Sequence, residues 1–442
     1  MISAQDNDLL TRVTGDAPMG QMMRRHWVPA LMSEEVAKVD GAPVRVRLFG
    51  ENLVAFRATD GRVGLIDELC PHRRASLVLG RNEECGLRCL YHGWKIDPDG
   101  NVVEMPSEPA GSPMQQKVKQ RAYPTCESGG FVWAYMGPAD AMPEFSPPPW
   151  TDHPDNRIAL LKIYESANWA QSVEGSIDSA HSSTLHSSSI TSDPSVTGST
   201  DRGTGEGVTL VRPSTDKAPR IQVQFTSFGL RYAALRKPIR NSAVNEYVRV
   251  TVYIAPFVSL IPPHNTWRSA QVFVPVDDEN TMFYFVAWSN QIELTSERWR
   301  RDNCAEVGVD VDTNYRKIRN LGNNFLQDRE AMANGDFTGI AGIPNQDMAM
   351  QETMGPIVDR TRENLGASDV AVIRFRQMML AAVRAFMAGQ RAIGTQAPVL
   401  PHVAIKSFEG IVPKTDSWRR LGVTPAEIEG YRDAVATGDA IA

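Results

Sequence analysis

A chain of 442 residues, 42% hydrophobic and 22% charged, has the composition of an ordinary globular protein and room for two or three domains, which is too much for a small electron carrier. Its net charge of −6 argues against nucleic-acid binding, and no run approaches the ~20 apolar residues that span a bilayer. The start, MISAQDNDLLTRV, lacks the basic-then-apolar pattern of an export signal, so a cytoplasmic location is expected.

Residues 1–26 are predicted to be helical and amphipathic, with Leu9, Leu10, Val13, Met19, Met22 and Met23 packing against the C-terminal domain. Residues 27–146 form a strand-rich first domain. In it VRVRLFGENLVAFRATDGRVGLI reads as strands separated by a Gly-Glu-Asn and then a Thr-Asp-Gly turn, and GGFVWAYMG as a further strand. This domain carries Cys70-Pro-His72 and Cys89-Leu-Tyr-His92, with residues 73–88 between them. Two thiolates and two imidazoles suit a Rieske [2Fe–2S] cluster, in which two cysteines hold one iron and two histidines the other, raising the potential. Structural zinc also accepts this donor set, but it usually pairs Cys-x2–4-Cys with His-x3–5-His. Here each half supplies one cysteine and one histidine, which zinc does not explain. Val63–Ile66 and Lys95-Ile96 read as strand ends beside the two loops, and Pro71 and Gly93 let backbone N–H groups approach sulfur. Cys85 lies near enough to compete with Cys89, but only Cys89 has a histidine three residues on. Cys85, Cys126 and Cys304 then remain, an odd set without framework spacing, as expected of reduced thiols in the cytoplasm.

The proline-dense PEFSPPPW marks a boundary, and residues 147–442 form the second domain. IALLKIYES reads as a strand and ANWAQSVEGSIDSAH as a helix, followed by a mobile Ser/Thr/Gly-rich loop over 187–207. GTGEG at 203–207 lacks the strand–turn–helix context of a nucleotide fingerprint. Six strands over 208–290, from VTLVRP to TMFYFVAWSN, predict one large antiparallel sheet. Helices are expected over 294–333 and 365–389, so the second domain is α+β.

A Rieske cluster in a long chain needs an electron acceptor. Asp178-Ser-Ala-His181-Ser-Ser-Thr-Leu-His186 offers two histidines for a non-haem Fe(II) site with two histidines and one carboxylate, whose open face takes O2 beside substrate. Five helical residues advance ~500°, so a break near Ser182–Leu185 is required for both rings to reach one iron. Asp178 would share the helix face of His181 and orient an imidazole. Spacing alone leaves Asp328, Asp336, Asp347 and Glu352 open as the third ligand; Asp347 has the best context, in the first turn of a helix opened by Pro344 and Asn345.

CPHRRASL…CLYHGWK, NWAQSVEGSIDSAHSSTLH, RPSTDKAPR and IPNQDMAMQETMGPIVDRTRENLG resemble the Rieske non-haem iron aromatic-ring oxygenases, nearest the phthalate dioxygenase branch. The resemblance implies an N-terminal all-β Rieske domain followed by a helix-grip, START-like catalytic domain with a curved antiparallel sheet. It assigns Cys70, His72, Cys89 and His92 to the cluster, His181, His186 and Asp347 to the iron, and Asp178 to the link between a cluster histidine of one subunit and an iron histidine of its neighbour. Asn168 falls where relatives have an asparagine near the iron. It further implies a homotrimer or hexamer and a separate flavin and iron–sulfur reductase that brings electrons from NAD(P)H. The expected reaction is O2-dependent hydroxylation of an aromatic carboxylate, a phthalate-like diacid and cis-dihydroxylation foremost; ring monooxygenation or aryl-ether O-demethylation of a substituted benzoate is the alternative. A non-catalytic Rieske electron-transfer protein or a zinc-stabilised binding module would be the remote rival. Arg212 and Arg249 are candidates for the carboxylate, with Ser179 and Ser182 beside His181. In EYVRVTVY, Arg249 shares a strand face with Tyr247, Thr251 and Tyr253, which reads equally as a pocket wall or a solvated face.

Overall fold

The structure, a computed structural model, describes residues 2–109, 111–195, 210–263, 267–396, 399, 401–423 and 432–433. Two compact units emerge, Val13–Phe145 and Met1–Arg12 with Ser146–Ala442. The expected N-terminal segment is therefore split. The helix Ala4–Thr11 belongs with the C-terminal unit, where Asn7 reaches Arg360 and Val358. The helix Pro18–Met23 belongs with the first unit. Val13, Thr14 and Gly15 break the helical run between them, with Gly15 at φ 58°.

The first unit consists of small antiparallel sheets. In Val44–Leu48, Val46 and Leu48 are buried while Arg45 and Arg47 are exposed, the period-two pattern of a strand with one wet face. The turn into Glu51–Arg57 is Phe49-Gly50, at φ 49° and 84°, so Glu51 and Asn52 already belong to the strand rather than to the turn. Two positive φ angles match the right-handed twist of a two-residue hairpin. Val63–Asp67 completes this sheet, and Arg81–Glu83, Gly86–Arg88, Lys95–Ile96 and Val102–Glu104 form another. Val54, Phe56, Ile66, Leu77, Leu87, Trp94 and Ile96 make a core that includes Cys70 and Cys89.

The second unit is built on an antiparallel sheet in the order Ile158–Glu165, Thr281–Trp288, Arg268–Pro275, Val258–Ile261, Asn245–Ile254, Gly229–Arg236, Arg220–Thr226. Phe408–Pro413 also pairs with Asn245–Ile254, a strand not anticipated from the sequence. Leu210–Arg212, expected in this sheet, instead pairs in parallel with Ile190–Ser192. That short strand lies within the segment expected to be a mobile loop; residues 196–209, including GTGEG, lie outside the described residues. Helix Val370–Met387 packs on the sheet, and helix Trp169–Ser176 packs on both the sheet and helix Ile343–Thr353. The helix expected over 294–333 is reduced to Ser296–Asp302 and Arg329–Ala333 with a 3-10 segment at Leu321–Leu326. The intervening sequence is rich in Asn, Asp and Gly, whose side chains offer the backbone turn hydrogen bonds instead, as Asp312 does to the N–H groups of Asn314 and Arg316.

One buried ionic network joins these helices. Glu174 accepts from Arg360 Nε at 2.9 Å and from Arg376 Nε at 2.8 Å. Arg376 also pairs with Glu363, and Arg360 donates to Asn7 Oδ1 at 2.9 Å. Burial alone would raise the Glu174 pKa, but the two guanidiniums outweigh it and hold the carboxyl below its usual range. Glu174→Gln should therefore lower unfolding free energy by about 3–5 kcal/mol in denaturant titrations, because it leaves Arg360 buried without a carboxylate and Arg376 with Glu363 alone. A folded-state pKa below the unfolded value means this contribution is complete above the usual glutamate pKa of about 4.3 and is lost as pH falls below it, which pH-dependent melting would detect.

Candidate functional site

The cysteine–histidine loops of the first unit are built to one plan. Cys70 N–H donates to Ala75 O at 2.8 Å and accepts at its own carbonyl from Arg74 N–H at 3.0 Å; Cys89 N–H donates to Trp94 O at 2.8 Å and its carbonyl accepts from Gly93 N–H at 3.0 Å. The fourth residue after each cysteine is left-handed, Arg74 at φ 62° and Gly93 at φ 75°. These equivalent turns bring the His72 and His92 rings to a centroid distance of 4.4 Å and leave Cys70 and Cys89 buried. Trp94 stacks on His72 at 4.5 Å and fixes its plane. His72 Nδ1 is buried without a hydrogen-bond partner, a costly state that a metal bond relieves. Burial pushes the Cys70 thiol up to about 11, against the backbone N–H groups of His72 and Arg73 that favour the thiolate. A buried thiolate here needs a bound cation, so the donors fit a cluster with two sulfur and two nitrogen ligands. Cys85 sits at φ 57° on a hairpin turn, its N–H bonded to Thr59 Oγ1 at 2.9 Å.

In the second unit His181, His186 and Asp347 each offer one donor atom, all within 4.8 Å of one another. Asp347 Oδ1 lies 3.0 Å from His186 Nε2 and 3.4 Å from His181 Nε2. Helix Trp169–Ser176 stops before Asp178, so Asp178 and His181 do not share a helix face as expected. Instead Asp178 Oδ1 accepts from Ala180 N–H at 2.7 Å, and its other oxygen lies 3.5 Å from His181 Nδ1. The 3-10 turn His181–Ser183 then aims both histidines at one point. Asp347 is the fifth residue of helix Ile343–Thr353, just past the first turn in which it was expected, because the helix starts one residue earlier, at Ile343 with Pro344 second. Burial opposes charge on His181, yet Asp178 and Asp347 outweigh it and raise its pKa. The triad thus demands positive charge, which a divalent metal supplies better than a proton. Among the other carboxylates considered, Glu352 pairs with Lys317, Asp328 caps helix Arg329–Ala333, and Asp336 accepts from Thr338 and Gly339 N–H.

A cavity runs from this triad to Arg212 and Arg249, past Tyr232, Thr251, Trp267 and Phe285. The polar strand face of Arg249 is therefore a pocket wall. Thr251 joins Arg249 there, while Tyr247 bonds Glu409 and Tyr253 packs on Phe375. Arg212 and Arg249 are both 4% exposed, and each has an Nε without a partner. Neither forms an ion pair with a carboxylate among the described residues. Burial, then the charge of Arg249, pushes the Arg212 guanidinium well below its usual pKa. Arginine remains charged in proteins, so this environment calls for an anion.

The family model for the Rieske [2Fe-2S] domain matches residues 26–124, and that described as LigXa C-terminal domain like matches residues 134–440. The chain is 59% identical to the phthalate 4,5-dioxygenase oxygenase subunit of Pseudomonas putida over 420 residues, 95% of this chain and 94% of that one. This chain belongs to the Rieske oxygenases. It is the large, oxygenase subunit of the phthalate dioxygenase-like branch. The oxygenase is also 34% identical to the 3-chlorobenzoate-3,4-dioxygenase oxygenase subunit of Comamonas testosteroni over 437 residues, 95% and 97% of the two chains. The solved structure of the Pseudomonas putida CBB5 NdmA QL mutant with caffeine shares its fold, with a TM-score of 0.57 at 17% identity over 90% of this chain and 99% of that one. As such a component the oxygenase carries a Rieske cluster and a mononuclear iron, uses O2, and depends on a separate reductase for electrons from NAD(P)H. No helix among its described residues is long and apolar enough to cross a membrane.

Asn168 is not brought to the triad of the oxygenase. Its amide is buried and fully engaged, accepting from Ala170 N–H at 3.0 Å and donating to Thr11 O at 2.9 Å and Asp278 O at 2.7 Å. It caps helix Trp169–Ser176 and anchors the N-terminal helix. Ser179 and Ser182 line the cavity, but their hydroxyls serve arginines: Ser182 Oγ accepts from Arg212 at 3.0 Å, and Ser179 Oγ from Arg236 at 3.2 Å. Arg236 was not anticipated from the sequence. It also donates to Ser179 O at 2.7 Å and to Ser183 Oγ at 3.2 Å, gripping the loop on both sides of His181. Its only sequence signal was a second cation, after Arg231, in the mainly apolar strand GLRYAALR. Arg236→Leu should loosen this loop and lower kcat at least 10-fold in steady-state assays, with the visible cluster spectrum unchanged, since small misplacements at a reacting centre are costly.

Proposed function

We propose that this oxygenase hydroxylates a phthalate-like aromatic diacid, with Arg212 and Arg249 taking the carboxylates. The observation that carries the reading is the pair of buried guanidiniums without a carboxylate partner, in the same cavity as His181, His186 and Asp347. Arg212, braced by Ser182, and Arg249, which donates to Pro262 O at 3.3 Å, pin the acid end. Trp267 and Phe285 offer apolar walls for the ring. The activity named for the relative at 59% identity agrees with this chemistry. Cys70, His72, Cys89 and His92 hold the cluster, and His181, His186 and Asp347 hold the iron. When bound, the iron supplies the oxygen chemistry that places hydroxyls on the ring, in cis-dihydroxylation. The chain's own task is to orient the ring, neutralise its carboxylates and exclude water. Asp178, bonded to the His181 loop and partly exposed, steadies that histidine and, in a cytoplasmic homotrimer or hexamer, faces the cluster-bearing surface of a neighbouring subunit.

With a compatible reductase and NADH, the oxygenase should convert phthalate to a cis-dihydrodiol. Arg249→Ala should raise KM for phthalate roughly 10- to 100-fold, the loss of a charged hydrogen bond of about 1.5–3 kcal/mol, with cluster spectra intact; unchanged KM would exclude Arg249 from the pocket. His181→Ala or Asp347→Ala should abolish turnover and remove the mononuclear iron while the reddish-brown cluster absorption survives. Product formation by either variant would refute the ligand assignment.

A further inference from the structure

We propose that Gln346 is a positioning residue that fixes the tautomer of His186 and presents its Nε2 lone pair to the metal. The proposal rests on His186 being a ligand. Gln346 lies 2.8 Å from His186 Nδ1 through its Oε1, and its Nε2 lies 2.8 Å from Ile340 O. A carbonyl only accepts, so the end of the amide facing Ile340 must be the NH2 group. The end facing His186 is then the oxygen, which also only accepts. His186 Nδ1 must carry the ring proton, and Nε2 is left with its lone pair 3.0 Å from Asp347 Oδ1. The direction of the whole relay is thus set by one backbone carbonyl.

Burial makes the arrangement hold. His186 is 4% and Gln346 3% exposed, so water cannot readily replace either bond, and a wrong tautomer would leave two acceptors facing each other. Gln346 immediately precedes Asp347 on helix Ile343–Thr353. One helical turn therefore delivers a carboxylate to the metal point and an amide to the back of a second donor. The two histidines differ as a result. Asp178, a carboxylate, stands behind His181, whereas a neutral amide stands behind His186. A carboxylate partner makes an imidazole more basic than an amide does, so His181 is the more strongly donating ring.

The test is Fe(II) retention by the purified holoenzyme during chelator challenge, with the visible cluster spectrum as an internal measure of folding, and the Co(II) absorption spectrum of the mononuclear site after metal exchange. Gln346→Leu should weaken metal binding 10- to 100-fold, the usual effect of removing a partner behind a ligand, and should alter the Co(II) bands. Gln346→Glu keeps an acceptor for Nδ1–H and should restore binding to within a few-fold of the parent. If Gln346 only braced Ile340, Glu would be no better than Leu, and that result overturns the proposal. Parent-like affinity and Co(II) spectrum in Gln346→Leu would overturn it as well. His186→Ala serves as the control for the underlying assignment: it must lose the metal whatever Gln346 does, and if it keeps the metal the ligand reading itself fails. Should Gln346→Leu not fold, the Gln346→Glu and Gln346→Asn pair decides, since Asn is too short to reach both partners and should behave as the loss variant.

Discussion

Three donor atoms from His181, His186 and Asp347 converge within 4.8 Å, and much of the second unit serves to hold them there. Two of the donors come from a loop just after helix Trp169–Ser176, and the third from helix Ile343–Thr353. Neither element is placed by its own propensity. Asn168 caps the first helix, Glu174 ties it to Arg360 and Arg376, and Gln171 bonds the carbonyls of Gln351 and Gly355 beside the second. Gly175 leaves room for the Gln351 side chain between the two helices: a Cβ there would lie 2.2 Å from Gln351 Nε2. The metal point is therefore held by helix–helix contact rather than by the short loop alone.

Positive charge dominates the other end of the cavity. Arg212, Arg236 and Arg249 are all buried, an arrangement that costs stability unless the cations are satisfied. Arg236 resolves its share by hydrogen-bonding the His181 loop. Arg212 and Arg249 line the cavity, and each keeps a buried Nε without a hydrogen-bond partner. The same region thus has two tasks: one arginine steadies the loop that carries His181, and two give the cavity its positive charge. Ser182, bonded to Arg212 and adjacent to His181, sits where the two tasks meet.

The cluster loops show a different economy. Cys70 and Cys89 repeat one hydrogen-bond pattern, residue by residue, so both halves were readable from local spacing. The second site was less so. His181 and His186 were visible as a pair, but their convergence depends on a 3-10 turn after the helix ends early at Ser176. Arg236 and Gln346 were not singled out, because an arginine in a strand and a glutamine in a helix have many ordinary explanations. Asn168 was misread for the converse reason: its nearness in sequence to the histidines does not place its amide near them, and that amide is consumed by a cap and two distant carbonyls.

Sequence by itself determined the donor set of the Rieske domain, since Cys70, His72, Cys89 and His92 lie in two short loops whose spacing is a local property. It also determined the α+β division, because strand alternation and helix periodicity are read over a few residues. Tertiary structure decided which carboxylate joins His181 and His186, which serines serve arginines, and to which unit each N-terminal helix belongs. Those outcomes depend on groups brought together from distant parts of the chain, such as Asp347 with His186 or Arg360 with Asn7, and no local pattern records which distant partner a buried polar group will find.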